Sequence, residues 1–226
     1  MTISISPDEC RNLCAVGRKG SGKSTILREL RAWWPYDCLV VDVNGDDETS
    51  PAVFTIPAGQ VPDSWAELRT ICGVPDDQVY VHARWVPDPR DAAWVDDVDR
   101  VLGLALHPDR HVLVQVHEIG TVAKPNQVRP HMEAILHQGR HKNVSLHTAG
   151  PRPVDVATLV LAQADYLAVF DLPAPQDKAR IADAFGWDPR EHDGVRFDEL
   201  VRNLGVHDFL WMDARERTVT HCTTGT

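Results

Sequence analysis

This chain of 226 residues is short of several things, and each shortage closes a class of function. No apolar run comes near the ~20 residues of a membrane-spanning helix. The first residues, Met1-Thr2-Ile3-Ser4, have neither the basic start nor the apolar stretch of a secretory leader. No transmembrane segment and a cytoplasmic setting are therefore expected. Cysteine is scarce: Cys10, Cys14, Cys38, Cys72 and Cys222 are odd in number, scattered and without a C-x-x-C pair. They read as reduced thiols and not as a disulfide framework. Basic charge is also in deficit, 23 Lys and Arg against 33 Asp and Glu, for a net charge of −10. A nucleic-acid footprint over the whole surface is excluded, but a locally basic channel is not, because screening confines each charge to a Debye length of about 8 Å. What remains, 43% hydrophobic and 25% charged residues without repeats, is ordinary for a globular protein. The expectation is a single domain over residues 1–226, with a loose arm at 1–10 and a helix and hairpin at about 187–226.

Against that plain background stands Gly17-Arg18-Lys19-Gly20-Ser21-Gly22-Lys23-Ser24-Thr25, which fits G-x-x-x-x-G-K-[ST], a loop that wraps phosphate in backbone N–H groups. Such a loop needs a buried strand running in and a helix running out. Leu13-Cys14-Ala15-Val16 is apolar throughout, as a parallel strand buried on both faces must be. From Ser24, the residues Ile26, Leu27 and Leu30, with Trp33 or Trp34 beyond, recur at helical spacing until Pro35. Gly17, Gly20 and Gly22 lack the Cβ that would obstruct a phosphate, and the helix N-terminus adds its dipole. Lys23 is placed to reach the β- and γ-phosphates and the Ser24 hydroxyl to bind Mg²⁺. Residues 17–25, Ser21 and Thr25 included, are expected to bind ATP.

Further strands are expected at 38–43, 53–56, 79–86, 111–118, 143–148 and 166–170, with helices at 64–72, 91–106, 131–138, 154–163, 175–185 and 197–204. A hairpin at 206–212 and 218–222 closes the chain. Strands and helices alternating at this spacing give an α/β fold, a doubly wound, mostly parallel sheet with a small C-terminal β-hairpin. Residues 119–130 read as a loop, Gly139 as the end of a helix, and Asp96, Asp97 and Asp99 as a solvated helix face. His137 and His141 are four apart, but Gly139 between them interrupts helical geometry and no third ligand is near, so zinc is set aside. The strand at 111–118 ends in His117-Glu118. A glutamate just past a buried strand, facing the γ-phosphate, can orient or deprotonate an attacking water.

The segment Gly139-Arg140-His141-Lys142-Asn143-Val144-Ser145-Leu146-His147-Thr148-Ala149-Gly150-Pro151-Arg152-Pro153-Val154-Asp155-Val156 resembles, without a gap, a stretch of FtsK–HerA superfamily ATPases that reads G-R-x-x-G-[IV]-x-L-x-x-A-T-Q-R-P-x-D-V. Asp42-Val43-Asn44-Gly45-Asp46 resembles the same superfamily's D-x-x-G-E turn. The resemblance covers residues 11 to about 172 and implies a P-loop fold of the RecA-like ASCE type. Superfamily members are ring-forming motors that move double-stranded DNA, or sometimes protein, using ATP. A bare motor domain of this size is most similar to the genome-packaging ATPases of tectivirus-like phages. The implied partners are double-stranded DNA, further copies in a ring (a hexamer) and portal or membrane-vertex proteins, in the host cytoplasm or at a virion vertex.

By this resemblance Glu118 is the general base, Arg140 an arginine finger given to a neighbour's ATP, and Arg152 a γ-phosphate sensor. Lys124, Arg129 and Lys142 are candidates to line a DNA channel. Three residues depart from the pattern. His117 stands where an Asp holds Mg²⁺ through water, and a neutral imidazole brings no charge, so Ser24 carries more of the metal binding. Pro151 replaces the γ-phosphate-sensing Gln, and Asn143 replaces a Gly at a position Asn can hold because it tolerates the left-handed conformation. Two other readings stand beside the motor: a P-loop kinase of a nucleotide or small molecule, and a low-turnover ATP-dependent assembly or secretion switch.

Overall fold

Strands made wholly of apolar residues must be covered on both faces, and the computed structural model of the chain shows how. It describes residues 5–45, 53–107, 109–188 and 192–224. In chain order the elements are β1 (Leu13–Val16), α1 (Lys23–Ala32), β2 (Asp37–Asp42), β3 (Phe54–Thr55), α2 (Trp65–Ile71), β4 (His82–Trp85), α3 (Trp94–Gly103), β5 (Val112–His117), α4 (Ile119–Val122), α5 (Pro130–Gln138), β6 (Val144–Gly150), α6 (Thr158–Ala162), β7 (Tyr166–Val169), α7 (Pro175–Ala184), α8 (His192–Arg202), β8 (Asp208–Asp213) and β9 (Thr218–Thr223). The described strands form one sheet in the order β3-β4-β2-β5-β6-β1-β7-β8-β9. All pairings are parallel up to β7; β8 and β9 add antiparallel at that side. β6 therefore lies between β1, which feeds the glycine-rich loop, and β5, which ends at His117. The expected fold class is the observed one.

The period of two along each strand divides the core. Val112, Val114 and Val116 join Val16, Leu39, Val41 and Leu146 in the larger cluster on one face, with Val98, Ile135 and Phe197 from the covering helices. On the other face Leu13, Ala15, Ala168 and Phe170 meet Ile26, Leu27 and Leu30 of α1. Trp34 is buried there beside Leu113, whereas Trp33 is exposed, which settles which tryptophan belongs to the core.

Several local expectations change. Asp99 is buried, not solvated: its carboxylate accepts from the backbone N–H groups of His131 (3.1 Å) and Met132 (3.1 Å), capping α5, whose first N–H groups have no partner within their own helix. Asp96 does stay exposed. Gly139 does close α5, as its C-cap, but at φ −51° and not in the left-handed conformation; a 3-10 turn, Gly139–Lys142, follows, and its left-handed terminator is Asn143 at φ 57°. Its glycine serves close approach instead, because a Cβ there would lie 3.0 Å from the Val144 carbonyl oxygen. The α-helical geometry is interrupted between His137 and His141, as expected, although the chain runs on as that 3-10 turn. Residues 119–122 form the short α4 rather than loop, α6 starts four residues late after a 3-10 turn at Pro153–Asp155, and α8 starts early at His192. Nor is residue 5 onward a loose arm, since Ile5 and Cys10 are buried around a 3-10 turn at Pro7–Glu9. The Asp46 and Asp47 portion of the expected turn lies outside the described residues.

Candidate functional site

Parallel strands deliver their C-terminal ends to one edge of the sheet, where open α/β sheets bind ligands. There β1 enters the loop, β5 reaches Glu118, β6 runs into Arg152 and β7 into Asp171. The loop's backbone requires its glycines: φ is +150° at Gly17, +80° at Gly20 and +110° at Gly22. At Gly17 a Cβ would sit 2.5 Å from the Phe170 Cβ, so the loop also lies tight against the residue after β7. The Gly17 N–H donates to the Gly150 carbonyl (3.3 Å), the Arg18 N–H to the Asp171 carbonyl (3.4 Å), and the Arg18 guanidinium pairs with the Asp171 carboxylate. Thr224, just past β9, packs on the loop at Gly22 and is buried.

Two polar groups in this cradle look outward for a ligand. The Ser21 hydroxyl is buried with no hydrogen-bond partner, a costly state for a group that has left water. The Lys23 ammonium, 7% exposed, donates to the carbonyls of Gly17 (2.7 Å) and Arg18 (2.9 Å). Burial pushes its pKa down, and the Glu118 carboxylate nearby pulls it partly back. That coupling places the glutamate in electrostatic reach of the loop. Ser24 and Thr25 follow Lys23 in the first turn of α1.

Glu118 takes the left-handed conformation, φ 56° and ψ 47°, between the last residue of β5 and the first of α4. For a non-glycine residue this costs about 1 kcal/mol or more, and it turns the chain sharply at the strand end. The Thr121 N–H (2.9 Å) and hydroxyl (2.8 Å) both donate to its carbonyl and hold the turn. His117 is 5% exposed and stands in register with Asp42 of β2. Asp42 is itself engaged: Arg84 donates from Nε (3.0 Å) and Nη2 (2.6 Å) to one oxygen, and the Gly45 N–H to the other (3.1 Å). Its negative charge is balanced by Arg84.

Arg152 lies on the same edge, and its Nε donates to Asp177 at 3.2 Å. Asp177, at 2% exposure, is a buried anchor for a half-exposed arginine. Arg140 lies elsewhere. It follows α5 and its Nη2 donates to Asp165 (3.1 Å) just before β7, at the N-terminal edge of the sheet, beside a cleft of about 310 Å³. The structure thus gathers Gly17, Gly20, Ser21, Gly22, Lys23, Ser24, Thr25, His117, Glu118 and Arg152 at one edge and puts Arg140 at the other.

For Mg²⁺ the donor set is modest. Among the described residues no group of three or more His, Cys, Asp or Glu is arranged to hold an ion. The cation prefers oxygen and keeps most of its water, so the Ser24 hydroxyl together with phosphate oxygens fits an ion that arrives with nucleotide. His117 offers nitrogen without charge, suited to a metal-bound water and not to the metal itself. The sequence reading missed Asp177 and Arg84, which carry no motif, and Gln115, whose signal was visible as one amide in an apolar run.

No protein-family model and no curated protein matches the sequence. Solved structures do. The genome-packaging NTPase B204 of Sulfolobus turreted icosahedral virus 2, in complex with AMP, aligns over 98% of this chain and 100% of its own with a TM-score of 0.71 and 19% identity. B204 is also known in complex with ATP-gammaS, AMPPCP and sulfate. VirB4 of Thermoanaerobacter pseudethanolicus aligns over 97% of this chain and 91% of its own, with a TM-score of 0.64 and 12% identity. EccC of Thermomonospora curvata (ATPases 2 and 3, with a signal sequence peptide) aligns over 98% of this chain but 38% of its own, with a TM-score of 0.56 and 12% identity. At these identities the likeness is one of fold.

Proposed function

We propose that the chain is the ATPase of a ring-forming motor that moves double-stranded DNA, serving to package a viral genome. The ATPase part of this reading is carried by the C-terminal edge, a glycine cradle with an unpartnered buried hydroxyl, a buried lysine near Glu118, and Arg152 on the same edge; the DNA-moving part is supported by the sequence resemblance and by the fold likeness to the packaging NTPase B204. When nucleotide binds, Lys23 exchanges the Gly17 and Arg18 carbonyls for phosphate oxygens, which repays a desolvated ammonium better than neutral carbonyls do. The loop N–H groups and the Ser21 hydroxyl take the remaining phosphate oxygens. Mg²⁺, when bound with the nucleotide, neutralises phosphate charge. Glu118 orients a water for attack on the γ-phosphorus and accepts its proton, while the bond from the γ-phosphorus to the β–γ bridging oxygen breaks and ADP leaves with that oxygen. Arg152, which among the described residues spends Nε on Asp177, turns its remaining donors to the γ-phosphate and senses it. Arg140 completes the site of a neighbouring copy in the ring. Portal or vertex proteins of a particle and the host cytoplasm are the setting this role implies.

The test is the rate of phosphate release from ATP with and without double-stranded DNA. The wild type is expected to hydrolyse ATP, faster with DNA and less so as salt rises, while Lys23→Ala and Glu118→Gln lose at least ~100-fold. Variants as fast as the wild type would refute the site. A phosphorylated acceptor appearing mole for mole with ADP would make the chain a kinase.

A further inference from the structure

Three residues before Glu118, Gln115 is fully buried in the middle of β5, in a strand whose residues from Val112 to Val116 are otherwise all apolar. A buried amide must place both its donor and its acceptor, and Gln115 places both on α1. Its Nε2 donates to the Leu27 carbonyl at 2.7 Å, and its Oε1 accepts from Nη1 of Arg31 at 3.2 Å. Arg31 is only 3% exposed. His147 stands opposite Gln115 in register on β6, fully buried, with Trp34 edge-on at 6.0 Å. Elsewhere α1 rests on the sheet through Ile26, Leu27 and Leu30, which are apolar contacts without direction.

The two ends of this link matter. α1 begins at Lys23, one helical turn before Leu27, so its placement is the placement of the phosphate loop. On the other side Gln115 lies in β5, and Glu118 follows directly after the strand's last residue, His117, about 10 Å along the chain from Gln115. Apolar packing permits small slides along and about the helix axis, whereas two directional hydrogen bonds to one side chain do not. A misplacement of about 1 Å between reacting groups can cost ~100-fold in rate. We propose that Gln115 is a positioning residue that fixes the phosphate loop against the strand carrying Glu118, through its paired bonds to Leu27 and Arg31. The proposal rests on the reading that the loop and Glu118 form one hydrolytic site.

The test compares wild type, Gln115→Glu and the double variant Gln115→Leu/Arg31→Met, which refills the link with apolar side chains of similar size so that folding is preserved. Four quantities are measured: melting temperature, affinity for ATPγS, the kcat and KM of ATP hydrolysis, and the crystal structure with ATPγS bound. The double variant is expected to melt and bind ATPγS like the wild type, within about threefold in affinity, while kcat falls ~10- to 100-fold at unchanged KM. In its crystal structure Glu118 is displaced relative to Lys23. Gln115→Glu, which keeps the acceptor for Arg31 but not the donor to Leu27, falls between. An unchanged kcat, or kcat lost only in step with affinity and melting temperature, overturns the proposal. An inert wild type refutes the hydrolytic reading instead, and the crystal structures then decide this one: unmoved Glu118 and Lys23 overturn it, a displacement supports it.

Discussion

The two edges of one sheet solve opposite problems. At the N-terminal edge charge is closed on itself. Asp165 accepts from Arg11 (3.3 Å), the Asn12 N–H (2.9 Å) and Arg140 (3.1 Å), and Asp37 from the Val81 N–H (2.8 Å) and Arg110. At the C-terminal edge the buried lysine is spent on two neutral carbonyls and the Ser21 hydroxyl on nothing. Left-handed residues occur at both, Cys10 and Asn143 at one and Glu118 at the other, so backbone strain by itself does not mark a site. A lone orphaned atom does not mark one either, since Trp34 Nε1 and His111 Nδ1, just ahead of β2 and β5, also lack a partner. What sets the C-terminal edge apart is the combination within one glycine loop of an unpartnered hydroxyl and a buried ammonium held only by neutral carbonyls.

The comparison breaks most sharply at Gly17. A methyl group there meets the Phe170 Cβ at 2.5 Å and its Cα at 3.2 Å, in a conformation with φ +150° that side chains resist. Gly17→Ala is expected to cost about 3 kcal/mol and to abolish ATPγS binding. Gly20→Ala, with nothing within 4 Å of the added group, is expected to cost about 1 kcal/mol for φ alone. Chemical denaturation read beside nucleotide titration checks both. Equal costs at the two positions would mean that the contact with Phe170 is not what holds the loop.

A smaller effect of opposite sign is expected at Glu118. If its left-handed backbone is strain tolerated for function, Glu118→Gly should raise stability by about 1 kcal/mol, while Glu118→Gln leaves it unchanged. Neither variant should turn over ATP. Calorimetric melting decides, and a glycine variant that melts below the glutamine variant would show that the turn after β5 needs the side chain for its own structure.

How much of this was legible beforehand follows from what a sequence pattern encodes. Strands β1, β2, β5, β6 and β7 could be read because burial on both faces leaves them mostly apolar, with polar residues such as Gln115, Ser145 and His147 in the minority. The loop could be read because its glycines answer a backbone requirement, and Asn143 because few residues accept φ 57°. Asp99 could not: a carboxylate on a helix looks the same in sequence whether it faces water or caps α5, 32 residues on. Gly139 was legible as a required glycine but not for its reason, since close approach to Val144 depends on packing. Sheet order is set by pairings between segments far apart in the chain, and no single stretch of sequence encodes it. Among the site's supports, Asp177 and Arg84 have no local signature, because their partners Arg152 and Asp42 are brought to them only by folding.

The smallest effect on stability is expected at Arg140, and it is where the contrast between the edges is most informative. Its pair with Asp165 is half exposed on the arginine side, and Asp165 keeps Arg11 and the Asn12 N–H when Arg140 is removed. Arg140→Ala should therefore cost only about 0.5 kcal/mol. If the N-terminal edge serves the fold alone, turnover is as indifferent as stability. If instead this edge meets the loop of the next copy in a ring, the same variant loses catalysis out of proportion to its stability, because transition-state charge at the neighbour's ATP goes unmatched. Mixing separates the two. Arg140→Ala titrated into wild type should depress the rate more steeply than dilution, since each altered subunit disables a site it does not itself contain. A strictly linear decline would confine every catalytic group to the C-terminal edge of its own chain.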